Sequence, residues 1–91
     1  MKNVDYMLKE NEQEALIEVE KQQEITREEV ISMYKECRKE LGLTQMQLGK
    51  RAGISQPNVT RFESGTYNPS LEFMVKIAAA LGKKVKVTLE D

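Results

Sequence analysis

Apolar residues recur at helical spacing in successive runs between Thr26 and Gly82, and each run begins at a capping residue. In the first run Val30, Tyr34, Cys37 and Leu41 follow at i, i+4, i+7 and i+11, the stripe of an amphipathic helix. Thr26 with Glu29 forms a capping box ahead of it, and Gly42 marks its end. Thr44 and Gln47 open a second helix that ends near Ala52, with Leu43 and Leu48 as its hydrophobic staple and Gly53 as the turn. Ser55 caps a third helix, Ile54 and Val59 staple it, Pro57 lies in its first turn, and Gly65 closes it. After the loop TYNP, Ser70 caps a fourth helix on which Leu71, Met74, Ala78 and Leu81 share a face with Ile77, and Gly82 stops it. Gly49 alone of the five glycines falls inside a helix, where it costs about 1 kcal/mol against Ala. A close crossing of two helices would account for it.

The ends of the chain read differently. The tail KKVKVTLE alternates strictly, with Val85, Val87 and Leu89 on one side and Lys84, Lys86 and Thr88 on the other, the pattern of a half-buried strand over 83–91. No second strand pattern exists to pair with it, so its backbone groups call for another copy of the chain or another protein. At the other end, Asn11 with Glu14 offers a cap for a helix over about 12–23. Ala15, Leu16, Ile17 and Val19 gather on its broad apolar face, and Val4, Tyr6, Met7 and Leu8 make a smaller patch upstream.

Charge divides the chain at the same place as the pattern. Residues 1–25 carry three lysines against seven acids, a net −4, whereas residues 26–91 carry eleven Lys and Arg against eight acids, a net +3. The expected organisation is an acidic helical extension (1–25) for partner binding or dimerisation, a helical domain (26–82) and a C-terminal strand (83–91). Ninety-one residues allow one small domain plus an appendage. Histidine is absent and Cys37 is the only cysteine. No zinc-type ligand set and no nucleophile–base pair can be assembled from what is left, so neither a metal, a cofactor nor catalysis is expected. Cys37, on the core stripe, reads as a small packing residue. One cysteine, no membrane-length apolar run and no signal-peptide pattern point to a cytoplasmic protein.

The stretch TQMQLGKRAGISQPNVTRFESG resembles the helix-turn-helix of the lambda-repressor-like, or Xre, family. The resemblance covers residues 30–82. It rests on Gln45, on Leu48 before the small Gly49, on Gly53 at the turn, on Val59 and Phe62 facing inward, and on Glu63 ahead of Gly65. Gly49 stands where Ala is commoner, and Pro57 stands where some members carry a polar base reader. The resemblance implies an all-α helix-turn-helix bundle, here with an N-terminal helical extension and a short C-terminal β-strand. It implies a recognition helix in the DNA major groove, with Gln56, Asn58, Thr60 and Arg61 outward. Gln56 and Arg61 are the main candidate readers, since Gln can hold adenine and Arg guanine bidentately. Gln45, Lys50, Ser55, Tyr67 and Asn68 are expected at phosphates. Arg38 and Glu63 are expected, by the same resemblance, to form a structural ion pair between the domain's first and third helices.

The whole layout is further similar to HigA-type antitoxins, which bind a small mRNA-cleaving toxin of the RelE-like class and repress their own operon. That implies double-stranded operator DNA and a small basic ribonuclease as partners, and a homodimer on a palindromic site. An acidic amphipathic arm suits a basic partner, with Leu16, Val19, Glu18 and Glu20 as candidate contacts. Val85, Val87 and Leu89 are the candidate strand-pairing residues. The alternative is a stand-alone Xre-type repressor with no toxin.

Overall fold

A computed structural model describes the backbone from Lys2 to Asp91 and the side chains from Gln13 onward. The Val4–Leu8 patch and the Asn11 cap therefore lie outside the described side chains. Four helices follow one another: α1 (Lys2–Glu40), α2 (Gln45–Ala52), α3 (Gln56–Ser64) and α4 (Leu71–Ala80).

Where the capping box at Thr26 predicts a helix start, α1 runs straight through as 39 residues. A cap residue acts only where a helix begins, and no Gly or Pro interrupts the chain between Lys2 and Leu41. The Thr26 hydroxyl instead accepts a bond from Gln22 Nε2 one turn earlier, at 3.2 Å. At 1.5 Å per residue such a helix is about 58 Å long, which matches the longest dimension of the molecule, 59 Å.

The second correction concerns the tail. Among the described residues there is no strand, and residues 83–91 carry no regular secondary structure. Alternation alone gives a strand nothing to bond with, and the chain supplies no second one. Val85 is half-buried, whereas Val87 and Leu89 point into solvent, Leu89 at 98% exposure.

The core is a cluster of Leu48, Val59, Phe62, Phe73, Ile77 and Leu81, one or more from each of α2, α3 and α4. The last third of α1 covers it with Val30, Ile31, Tyr34 and Cys37. Leu41, expected on that stripe, is half exposed, and Leu71 is mostly exposed, because Phe73 takes the inward place at the start of α4. Phe62 lies at the centre, edge-on to Tyr34 at 5.5 Å and tilted against Phe73 at 5.2 Å. Tyr67 continues the aromatic row onto Phe73. The Tyr34 hydroxyl donates to the Met74 carbonyl at 3.0 Å, tying α1 to α4. Burial, with Cys37 adding to it, pushes the Tyr34 phenol above its ordinary value of 10.0.

Candidate nucleic-acid interface

Local rules set the α2–turn–α3 pair. Thr44 caps α2 with a complete capping box: its hydroxyl accepts from the Gln47 amide at 3.1 Å, and Gln47 Oε1 accepts from the Thr44 amide at 2.9 Å. Gly53 takes φ 69°, the left-handed conformation that a side chain would strain, and turns the chain toward α3. Gly49 answers to the turn rather than to a helix crossing. A Cβ there would meet the Ile54 carbonyl oxygen at 2.5 Å, backbone that cannot swing aside. The Gly49 carbonyl accepts the Ile54 amide at 2.9 Å, so residue 49 and the turn are in contact from both directions.

Ser55 stands at the N-cap of α3, yet its hydroxyl makes no capping bond, unlike those of Thr44 and Ser70. Val59, Phe62 and Glu63 form the buried side of α3. Gln56, Pro57, Thr60, Arg61 and Ser64 are exposed on it, and Asn58 is half-buried at the margin. Arg61 Nη1 donates to Asn58 Oδ1 at 3.3 Å, so Asn58 steadies the guanidinium and leaves its remaining N–H groups outward.

A polar chain locks this face to the core. Arg38 Nε and Nη2 donate to the two oxygens of Glu63 at 2.7 and 2.8 Å, and Arg38 Nη1 donates to the Leu43 carbonyl at 2.7 Å. Both side chains are nearly excluded from solvent, at 11% and 3% exposure. The bond to Glu63 raises the Arg38 pKa further, against the opposing effect of burial. Gln45 Nε2 donates to the same carboxylate at 3.3 Å, and Gln45 Oε1 accepts from the Thr60 hydroxyl at 2.7 Å. Turning the amide over would set its oxygen against the carboxylate, so the chain Arg38–Glu63–Gln45–Thr60 has one consistent polarity. It joins α1, α3 and α2 and ends on the outer face of α3.

The residues expected at phosphates stand in different settings. Lys50 and Ser55 are exposed on α2 and at the start of α3. Gln45 is engaged in the polar chain. Tyr67 is half-buried in the aromatic row. Asn68 borders a groove of about 590 Å³ between α1 and the start of α4, which Val19 and Thr26 also line.

Residues 35–87 match the family model described as Helix-turn-helix. The chain belongs to the helix-turn-helix family, in its Xre-like branch. That makes it a DNA-binding transcriptional regulator by class. It is 43% identical over 53 residues to an uncharacterised helix-turn-helix transcriptional regulator of Methanothermobacter thermautotrophicus, covering 58% of this chain and 77% of that protein. It is 43% identical over 57 residues to the immunity repressor of Bacillus phage phi105, covering 63% of this chain and 40% of that one. Antitoxin HigA1 of Mycobacterium tuberculosis is 33% identical over 61 residues, 67% of this chain and 38% of the antitoxin. Thus the chain spans well under half of those last two relatives. A solved structure, a toxin–antitoxin module from Streptococcus pneumoniae, contains a chain similar at a TM-score of 0.61 and 32% identity, over 86% of this chain and 80% of that one.

Within the helix-turn-helix, two features escape sequence reading. Ser64 shares the exposed face of α3 and donates to the Arg61 carbonyl at 3.0 Å. The Gln45–Thr60 bond spans 15 residues, and no local spacing announces it. Among the described residues no helix is long and apolar enough to cross a membrane.

Proposed function

We propose that this helix-turn-helix protein is an antitoxin. In this reading α3 binds operator DNA and represses the protein's own operon, and the acidic arm binds a small basic ribonuclease toxin. The observation that carries the DNA half is the exposed face of α3, with Gln56 and Arg61 outward on a helix locked to the core. Gln56 would take adenine and Arg61 guanine in the major groove. Thr60 has a narrower part. Its hydroxyl proton is committed to Gln45, and a phosphate cannot donate, so a phosphate bond is closed to it; what remains for DNA is its methyl group, against a thymine methyl, and the hydroxyl oxygen as an acceptor from a base amino group. Ser55, with its hydroxyl unused in capping, and Lys50 suit phosphates. Two copies on a palindrome would double the short readout of one helix.

What supports the toxin half is the arm. Leu16, Ile17 and Val19 are more than half exposed beside Glu14, Glu18 and Glu20 on the same helix. A ribonuclease surface must be positive to hold RNA, and an anionic amphipathic helix would complement it in charge and in apolar area. Likeness to Antitoxin HigA1 and to the toxin–antitoxin module points the same way. The similarity to a phage immunity repressor favours a second reading, a repressor without a toxin. Mobility shift on the protein's own promoter, with and without a co-purified partner, separates them. Steep loss of affinity with salt is expected from phosphate contacts. Deleting residues 1–25 should abolish partner binding and spare the operator complex; the reverse result would reject the antitoxin reading.

A further inference from the structure

The tail after α4 carries two mostly exposed apolar side chains, Val87 and Leu89, on a segment with no ladder partner in its own chain. We infer that residues 83–91 pair antiparallel with the same segment of a second copy, in the register centred on Val87. This deepens the proposal that the protein acts as a dimer and names the surface.

The register follows from the sequence KKVKVTLED. A two-fold axis requires that if residue i faces residue j, then j faces i. Centring it on Val87 sets Val87 against itself, Val85 against Leu89, Lys84 against Glu90 and Lys83 against Asp91. Directly opposite residues of an antiparallel pair lie on the same face. All the apolar side chains therefore gather on one face, and the outer charges meet with opposite sign. Moving the axis to Lys86 would oppose that lysine to itself. Moving it to Thr88 would set Val85 against Asp91. A one-residue slip would mix the faces. A parallel, in-register pair would stack Lys84 on Lys84.

Two strands alone are marginal in water, so the apolar face needs cover. Val85 supplies the anchor. It is half-buried on the rim of a groove of about 270 Å³ formed by Met33, Tyr34, Cys37, Ala78 and Leu81. The Leu89 of the second copy, opposite Val85, comes down beside Met33, which is otherwise 56% exposed. The same happens twice by symmetry.

Sedimentation equilibrium of the full chain without DNA or partner tests this, with wild type, V87D, K84E and the double variant K84E/E90K. The tail lies outside the core, so each variant should stay folded, with the helical far-ultraviolet signal of the wild type and a cooperative melt. Wild type should be a dimer. V87D, which sets two carboxylates together at the axis, should leave a monomer. K84E, which turns two attractive cross-strand contacts repulsive, should weaken the dimer about tenfold. K84E/E90K restores both contacts and should return the dissociation constant to near the wild-type value. A dimer indifferent to V87D would overturn the ribbon while leaving the dimeric reading intact. Failure of the double variant to recover would overturn the register. A wild-type chain that stays monomeric would overturn both.

Discussion

The most constrained group in the molecule is the Glu63 carboxylate. It accepts two bonds from Arg38 and one from Gln45 while almost wholly out of water. Removing one member of such a pair strands the other charge. Glu63→Ala should therefore destabilise the protein by about 3–5 kcal/mol and lower the melting temperature by more than about 10 °C. Replacing both, as in R38M/E63L, removes the charges together and should cost less than E63A alone. Calorimetry that finds the double variant the worse of the two would reject the pair as the reason. Tyr34 gives a separate test at alkaline pH. Its phenol titrates higher in the folded protein than in the unfolded chain, so the folded state holds its proton longer. That contribution is fully present below pH 10.0 and is lost as pH rises through the folded value. Melting temperatures should fall above about pH 10, the unfolded tyrosine value, and Tyr34→Phe should flatten that limb. An unchanged limb would place its cause elsewhere.

For the helices, propensity and packing disagree at Gly49, and packing should win. By propensity alone, Ala in mid-helix would stabilise by about 1 kcal/mol. The Ile54 carbonyl stands 2.5 Å from where the methyl would go, so the turn would have to move. Gly49→Ala should instead destabilise by about 1–3 kcal/mol, and a raised melting temperature would refute the contact. On α3, Arg61→Ala should weaken operator binding by about 1–3 kcal/mol and relax preference at one base pair. Lys50→Ala should weaken binding evenly across sequences and lower the salt slope by about one. The boundaries of α2 and α3 were legible because caps, staple residues and glycines act over four or five positions, and all of them fall inside the sequence window. Thr26 misled for the same reason: its capping box is a correct local pattern in a place where nothing breaks the helix before it. Leu71 and Phe73 both fit a helical stripe, and packing against Phe62 is what turns Phe73 inward. The Arg38–Glu63 pair came from resemblance, whereas the link through Gln45 to Thr60 needed three-dimensional neighbours.

On the scale of the whole molecule, one helix does two incompatible jobs. Its last third covers the core, and the stretch from Gln13 to Thr26 is exposed at every residue. A stretch that buries so little is held mainly by its own hydrogen bonds, and these are marginal in water over such a length. Its local stability should be far below that of the domain it leads into. Hydrogen exchange on the free protein should show rapid exchange of amides 13–24 and slow exchange of the core residues Val59, Phe62 and Ile77. The sequence resolves only half of this. It shows the acidic charge and the apolar face, but a tertiary vacancy beside a regular helix leaves no mark on spacing or composition. The ordering cost has a consequence for binding. If the arm serves a basic partner, adding that partner should protect amides 13–24 and leave the core rates unchanged, because Leu16 and Val19 would then be buried. Protection of those amides by operator DNA instead would assign the arm to the DNA complex. Equal protection in the free protein would mean that the helix is already held, and the partner would gain no ordering from it.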